Sequence, residues 1–420
     1  MLKYGSKLIL AIMVLIGLSN YAFAEDAPAP APAAGSGAPS APAPKWYDVV
    51  TVSGMADVYI ANNGNGSTNG TGVGTNTTTG FTPDSSEFAL SLFELNLEKK
   101  PSKDSPTGFY IGLWGGQTAQ ATLPTAPLGN ASGAAINSNS KESAFQGIFR
   151  QIYGSILLTP EFQIDLGKFA TPIGIEVAES NANWNYSRGL LYNFGEPVVH
   201  TGLRATYTFN DSLSAMFCAV NGWNNDYNTT TGKGLHGQIA YAPIKALPLV
   251  ANYYVGTESN GTTVTGAGGV VTPVMGSRTL LDLNATFNVT DTFAIAASYD
   301  NGNQSNGALA NATTGIVAGT TANWNGFAVY AKYSGSLPFL TAIALRYESY
   351  SDPQGFTTQL AGGQTLTEGT ITLEKKVDAA LLRLEGRQDS SNQKFFNVAG
   401  NPNTTSQTQT LVLFSGVFAF

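Results

Sequence analysis

Strict alternation of apolar and polar residues, repeated along most of the chain, is the feature that most limits what this sequence can fold into. Phe162, Ile164 and Leu166, for example, are separated by single polar residues. A period of two places successive side chains on opposite faces of a β-strand. The pattern recurs in sixteen segments between residues 46 and 420. We therefore predict an all-β fold of sixteen antiparallel strands.

The connections between these segments alternate in length. Turns such as 100–106 and 159–161 are short, whereas 118–143, 170–197 and 257–276 are long and polar. An even strand number with short turns at one end and long loops at the other is typical of bacterial outer-membrane barrels. A soluble β-sandwich also alternates, but its loops need not sort by length. Residues 46–420 are thus predicted to form a transmembrane β-barrel with short periplasmic turns and long extracellular loops.

Charged side chains fall on one face of the predicted strands. The residues that define this face are Glu94, Glu98, Asp282, Lys332, Arg346, Glu348, Arg383, Glu385 and Arg387. An Arg or Lys that faced lipid at mid-bilayer would cost about 2–4 kcal/mol, so this face must line the lumen. So many charges in a dry interior would cost more still, and sixteen strands leave room for water. We therefore predict a water-filled lumen.

The N-terminus carries two segments outside the predicted barrel. Lys3 and Lys7 precede the apolar run Leu8–Leu18 and a small-x-small site at 22–24, which predicts a signal peptide over 1–24. Residues 25–45 are rich in Ala and Pro and are predicted to form an extended periplasmic tether. Cleavage would lower Lys+Arg from 21 to 19 against 28 acidic residues, a net charge of −9. This charge argues against nucleic acid or an anionic membrane surface as a partner. The predicted barrel implies contact with outer-membrane lipid and lipopolysaccharide, and small hydrophilic solutes as partners.

The segment Ala170–Pro197 is the strongest candidate for a functional site. It combines both charge signs with aromatic residues, and Pro172 and Gly174 suit a sharp inward turn. Folded into the lumen, it would narrow the channel, and charges at the neck would set ion preference. The candidate constriction residues are Glu176, Glu179, Arg188 and Glu196. The alternative is an ordinary loop on the outer surface.

The polar strand face supplies candidate lumen-lining residues. They are His200, Arg204, Arg346, Glu348, Arg383, Glu385 and Arg387. The last three form one row, which we expect to be a solvated ladder rather than a substrate clamp. The sequence has two histidines, too few for most metal sites, and no recognisable nucleophile motif. We therefore predict no catalytic residue, metal or cofactor. An enzyme that uses His200 or His236 is the weaker alternative.

Four motifs carry a resemblance to a known family. The sequences QIDLGKFATPIG at 163–174, NWNYSRGL at 183–190, EPVVHTG at 196–202 and AVNGW at 219–223 resemble the OmpL-like β-barrel porin family. The final strand ends on Phe420, as in the segment by which the outer-membrane assembly machinery recognises its substrates. The resemblance implies a porin of a Gram-negative outer membrane but assigns no role to any residue.

Together these patterns predict a passive, water-filled channel for small hydrophilic solutes or ions, with loop 170–197 as its constriction. The alternative is a plugged structural or adhesive barrel whose surface loops bind a partner. Trimers are common among sixteen-stranded porins, so analogy of fold favours a homotrimer.

Overall fold

The computed structural model of the 420-residue chain describes most of the predicted barrel. The described residues are 49–65, 78–82, 86–122, 147–226, 232–265, 271–308, 319–360, 362–398 and 405–420. The predicted signal peptide (1–24) and tether (25–45) lie outside them.

Within this part of the chain, sixteen antiparallel strands close into a single barrel, and each strand pairs with its neighbours in sequence. The strands are β1 Thr51–Asn63, β2 Phe88–Lys99, β3 Thr107–Gly115, β4 Phe149–Thr159, β5 Phe162–Ala170, β6 Val199–Asn210, β7 Leu213–Val220, β8 Gly234–Tyr241, β9 Leu249–Thr265, β10 Val271–Asn288, β11 Phe293–Gln304, β12 Ala322–Leu337, β13 Leu340–Asp352, β14 Gln364–Val377, β15 Ala380–Ser391 and β16 Thr408–Ala419. The predicted fold class is confirmed.

The barrel closes where its last strand pairs with its first. Met55 of β1 lies opposite Ala419 of β16. Beyond this pair, the N–H of Gly54 donates to the carbonyl of Phe420 at 2.9 Å, and the N–H of Phe420 donates back at 2.9 Å. An unpaired backbone group in hydrocarbon costs several kcal/mol, so only a closed sheet is stable there. The C-terminal phenylalanine thus completes the hydrogen-bonded ring.

In the part of the chain that the structure describes, the helical segments are short and lie in the connections. They are helix α1 (Gln117–Ala121), a 3₁₀ turn (Ser180–Ala182) and a π-helical turn (Leu191–Gly195). A two-residue ribbon pairs Phe396–Asn397 with Thr405–Ser406. None of the described helices has the length and apolar character needed to cross a membrane.

One predicted loop is largely strand. Residues 257–276 were expected to be a polar loop, but β9 continues to Thr265 and β10 begins at Val271. The two strands remain paired beyond the predicted boundary, with Val271 opposite Thr265. Threonine and valine in this segment favour extended structure, which outweighs its glycine content. The hairpin therefore extends further from the barrel than the sequence pattern indicated.

The outer face of the strands is apolar and exposed, and the inner face is buried. On β13, the exposed Leu345 and Tyr347 alternate with the buried Arg346 and Glu348. Aliphatic and aromatic side chains continue the exposed band around the barrel, for example Ile371 on β14 and Phe414 on β16. This is the alternation of a barrel whose outer face contacts lipid.

Leu345→Arg tests the assignment of the outer face to lipid. Leu345 is 48% exposed near the middle of β13. A guanidinium at mid-bilayer should lower the free energy of unfolding by about 2–4 kcal/mol. Urea titration of the barrel in phospholipid vesicles measures this, with Leu345→Met as the control. Equal stability of the two variants would contradict a lipid-facing position.

Candidate constriction site

The connection between β5 and β6, residues 171–198, lies inside the barrel. Its two ends are adjacent, because Ala170 pairs with Val199. From there the segment reaches the inner faces of β1, β13, β14 and β15. The strand order puts β14 on the opposite side of the barrel from β6. The segment, which we call the lumen loop, therefore crosses the bore instead of running over the outer surface.

Arg346 on β13 is the most heavily bonded wall contact of the lumen loop. Its guanidinium lies 2.6 Å from Glu176 of the loop and 2.6 Å from Glu368 of β14. It also donates to the backbone carbonyl of Ser187 at 2.5 Å. The Arg346 side chain is completely buried. Charge-assisted bonds of this kind are stronger than neutral ones, so Arg346 fixes two separate points of the loop.

The arginines of β15 bind the loop backbone. Arg383 donates to the carbonyl of Ser180 at 2.6 Å and to that of Asn183 at 2.8 Å. Arg387 donates to the carbonyl of Arg188 at 2.7 Å. The expectation that this row is solvated is wrong: Arg383 and Arg387 are 1% and 2% exposed. The loop has little secondary structure of its own, so its backbone groups need partners and take them from the wall.

Carboxylates of the wall bind the loop in the same way. Glu385 of β15, the third member of the row, accepts from the backbone N–H of Tyr186 at 2.6 Å and of Ser187 at 3.0 Å. Asp57 of β1 accepts from the Tyr186 hydroxyl at 2.7 Å and from that of Ser180 at 2.6 Å. Burial, with the nearby Asp57 carboxylate, raises the pKa of Tyr186 well above its usual range, which keeps its hydroxyl protonated and able to donate.

Removing the Tyr186 hydroxyl should loosen this contact. Tyr186→Phe leaves Asp57 with one fewer donor in a buried site, so we expect a loss of about 1–3 kcal/mol in the free energy of unfolding. Chemical denaturation followed by tryptophan fluorescence measures the change. Tyr347→Phe on the exposed outer face is the matched control and should be close to neutral. Equal effects would show that the Asp57 contact contributes nothing.

Glu179 and Arg188, two of the four candidate constriction residues, do not contact Arg346 as Glu176 does. Glu179 lies 3.1 Å from Arg150 of β4, whose guanidinium packs over the Trp114 ring at 4.9 Å. Arg188 folds back onto the loop, where it donates to the carbonyls of Tyr186 and Ala178. Glu179 therefore ties the loop to the near wall, and Arg188 holds the loop in its own shape.

Glu196, the fourth candidate, has no basic partner among the described residues. Its carboxylate lies with those of Asp282 (β10) and Asp300 (β11), and one oxygen from each lies within 4.8 Å of the others. Burial, followed by the neighbouring carboxylates, raises the pKa of Glu196 well above its ordinary value. Gly174 lies against this carboxylate with a φ of 88°. A β-carbon at Gly174 would collide with Glu196, so the inward turn requires glycine there.

The predicted lumen residues of β6 lie inside the barrel near the start of the lumen loop. His200 is fully buried and lies 3.2 Å from the Thr171 hydroxyl, and its ring centroid is 6.1 Å from that of His236. His236 contacts the Asn252 side chain at 2.9 Å. Arg204 pairs with Asp165 at 2.8 Å. Glu348, also predicted to line the lumen, is fully buried and accepts from the backbone N–H of Leu190.

The lumen loop divides the described lumen into two parts. On the side of the short turns lies a cavity of about 1170 Å³, the vestibule, bordered by the barrel wall and by loop residues 170–177, 179 and 181–184. On the side of the long loops, aromatic residues such as Trp223, Trp324, Tyr350 and Phe356 pack with Leu191 and Phe194 of the loop. Charged side chains border the vestibule, but the expectation of solvated charges along the lumen is wrong for this packed half, which buried aromatic side chains fill. The aromatic side chains responsible were not recognised from the sequence as lumen-filling.

These features define a class: outer-membrane barrels of the porin type, with sixteen strands and a connection folded into the lumen. Residues 49–420 match the family described as "Putative beta-barrel porin-2, OmpL-like". The chain belongs to this family, and the predicted resemblance and outer-membrane location in a Gram-negative bacterium are confirmed. No curated protein sequence matches the chain.

Solved porin structures share the fold at low sequence identity. The trimer form of OmpT from Vibrio cholerae superposes with a TM-score of 0.53 at 10% identity, covering 88% of this chain and 99% of that one. The anion-selective porin from Comamonas acidovorans has a TM-score of 0.52 at 14% identity, with 88% and 99% covered. The channel DcaP of Acinetobacter baumannii has 0.53 at 10% identity, with 88% and 97% covered. At these identities the likeness concerns the fold alone.

Proposed function

We propose that the protein is a passive channel for small hydrophilic solutes or ions and that the lumen loop is its narrowest part. The observation that carries the proposal is the path of the loop across the bore, bound to both walls, at the inner end of an open vestibule. Solute that enters the vestibule must pass the loop to cross the barrel. Charged side chains at such a neck set the ion preference of a channel.

The charges around the vestibule favour cations. Seven acidic and four basic side chains border it. They are Glu94, Glu98, Glu161, Asp165, Glu176, Glu179 and Asp378 against Lys99, Lys100, Arg204 and Lys376. Glu176 and Glu179 are paired with Arg346 and Arg150, which do not border the vestibule, so five acidic side chains remain against four basic ones. A cavity lined by an excess of one sign concentrates ions of the opposite sign. This preference differs from that of the anion-selective Comamonas porin, which shares the fold only.

Single-channel recording of the refolded protein in planar bilayers tests the proposal. We expect stable open steps in the current. Under a KCl gradient, the sign of the reversal potential should show a preference for potassium over chloride. Removing acidic side chains from the vestibule, as in Glu94→Gln with Glu98→Gln, should move the reversal potential towards zero. Lys99→Gln is the control and should shift it further in the cation direction. A protein that conducts with anion preference would overturn the assignment of selectivity.

The second candidate function is the plugged structural or adhesive barrel. Its support is the packed half of the lumen, where Trp324 and Tyr350 are fully buried, together with the contacts of the loop to the buried Arg346 and Arg387. A plugged barrel gives no current as wild type but conducts once the loop is removed. Recordings of the two proteins side by side therefore separate a channel from a plug.

We further infer a homotrimer without enzymatic activity. OmpT of Vibrio cholerae, with the same fold, has a trimer form, and the continuous apolar outer face of this barrel can pack against another copy as well as against lipid and lipopolysaccharide. Light scattering with subtraction of the detergent mass should give three chains per particle, and a single chain per particle would contradict the trimer.

The absence of an enzymatic role for the histidines predicts that the folded variants His200→Ala and His236→Ala transport solutes like the wild type.

A further inference from the structure

Three carboxylates from separate parts of the fold meet beside the lumen loop. Glu196 comes from the end of the loop, Asp282 from β10 and Asp300 from β11, and one oxygen of each lies within 4.8 Å of the others. Glu196 is 4% exposed, and Asp282 and Asp300 are 0% exposed. Among the described residues, no Lys, Arg or His side chain forms an ion pair with any of the three. Burial of carboxylates without a counter-charge is costly, so the cluster must either retain protons or bind a cation.

Four oxygens of this cluster also lack hydrogen-bond donors from the described residues outside it. Within the described residues, no donor reaches Oε2 of Glu196, Oδ2 of Asp282 or either carboxylate oxygen of Asp300. Asp352 shows how this fold satisfies a buried carboxylate without a ligand. It is equally buried and accepts bonds from Thr357, from Thr358 and from the backbone N–H of Phe356. Asp300 has no such donors in the described part of the chain, which indicates that its oxygens are available to a ligand that prefers oxygen atoms.

We propose that Glu196, Asp282 and Asp300 bind one divalent cation, and that calcium fits the site best. Carboxylate oxygens are the ligands preferred by hard cations such as calcium and magnesium. Magnesium usually keeps several bound waters and takes only one or two carboxylates, whereas calcium is bound by sets of protein oxygens. Three carboxylates that are at most 4% exposed leave little room for such waters, which favours calcium.

Neighbouring groups orient the proposed ligands. The amides of Asn252 and Asn284 donate to Oδ1 of Asp282 at 2.6 and 2.7 Å, and the backbone N–H of Gly174 donates to the same atom at 3.2 Å. This leaves Oδ2 for the cation, and such bonds to a ligating carboxylate hold it in position. Gly174 and Asn284 also border the vestibule, which gives an ion a route to the cluster. A bound cation would join the loop to β10 and β11.

Ion binding to the refolded full-length barrel, stripped with a chelator, tests the proposal. Calcium bound at equilibrium should saturate at one ion per chain, and terbium at the same site should show luminescence sensitised by Trp324. Trp324 is close enough, because its indole N–H donates to the carbonyl of Gly195, the residue before Glu196, at 3.2 Å. Magnesium should compete more weakly than calcium. Asp300→Asn should weaken calcium binding by at least about tenfold.

The matched control is Asp57→Asn. Asp57 is also a buried wall carboxylate that binds the loop, but it is not part of the cluster, so calcium affinity should not change. If Asp300→Asn does not refold, Glu196→Gln replaces it. Absence of saturable binding to the wild type, or equal affinity of the cluster variant and Asp57→Asn, would overturn the site. Calcium binding is measured without recording a current. The calcium site and the proposed channel function can therefore each be disproved without the other.

Discussion

Replacing residues 173–196 by a four-residue Gly-Ser linker should raise the single-channel conductance severalfold over that of the wild type. The linker can close the gap, because Ala170 and Val199 are paired and the N–H of Thr171 donates to the carbonyl of Val198 at 3.1 Å. The barrel should still close, since every strand pair lies outside the deletion. The replacement joins the vestibule to the other half of the lumen, and a wider bore conducts more. Planar-bilayer recordings measure the step size.

Deletion of residues 266–270 is the control for this experiment. These residues connect Thr265 and Val271, which pair at the far end of the β9–β10 hairpin. The shortened hairpin should conduct like the wild type. If the lumen-loop replacement also conducts like the wild type while it remains a folded barrel, then the loop does not limit flow and the proposed constriction is wrong.

Arg346→Ala should lower the free energy of unfolding by about 3–5 kcal/mol, the cost of breaking a buried ion pair from one side. The substitution leaves Glu176 with no ion-pair partner among the described residues and leaves Glu368 with the more distant Arg387, at 3.7 Å. It also removes the donor to the Ser187 carbonyl. The stability of Arg346→Lys should lie between that of the wild type and that of Arg346→Ala, because lysine keeps the charge but not the forked geometry of the guanidinium. Guanidinium titration in vesicles, followed by tryptophan fluorescence, measures the series.

Arg204→Ala provides the comparison. Arg204 is also a lumen arginine paired with a carboxylate, Asp165, but its side chain is 16% exposed and its partner lies on the adjacent strand. Solvent weakens that pair, so its loss should cost less. If Arg346→Ala and Arg204→Ala lower the free energy of unfolding equally, then the contact between β13 and the lumen loop stabilises the barrel no more than an ion pair between adjacent strands.

The barrel could be predicted because its signal is local. Alternation within each strand depends only on which face meets lipid, so Leu345 and Arg346 suffice to assign both faces of β13. The same reasoning identified the β5–β6 connection as unusual, since charged and aromatic side chains are concentrated there. The sharp turn at Gly174 could also be predicted, because Pro172 and a glycine two residues later favour a change of chain direction.

The contents of the lumen could not be predicted because they depend on long-range pairs. Glu176 and Arg346 are 170 positions apart, and no periodicity links them. A charged strand face looks the same in the sequence whether it meets water or a folded-in loop. The expectation of a solvated row on β15 failed for this reason. The cluster of Glu196, Asp282 and Asp300 was missed because its members come from three elements and form no local motif.

Disulfide formation between the lumen loop and β14 is the most direct test that the loop lies across the bore. The side chains of Asn185 and Thr372 touch at 2.8 Å. In a background of Cys218→Ser, the pair Asn185→Cys with Thr372→Cys should cross-link in high yield on mild oxidation in isolated outer membranes. Asn185→Cys with Thr206→Cys, on the opposite wall, should not. Absence of a cross-link in the first pair, or equal yields in both, would contradict a loop bound across the lumen.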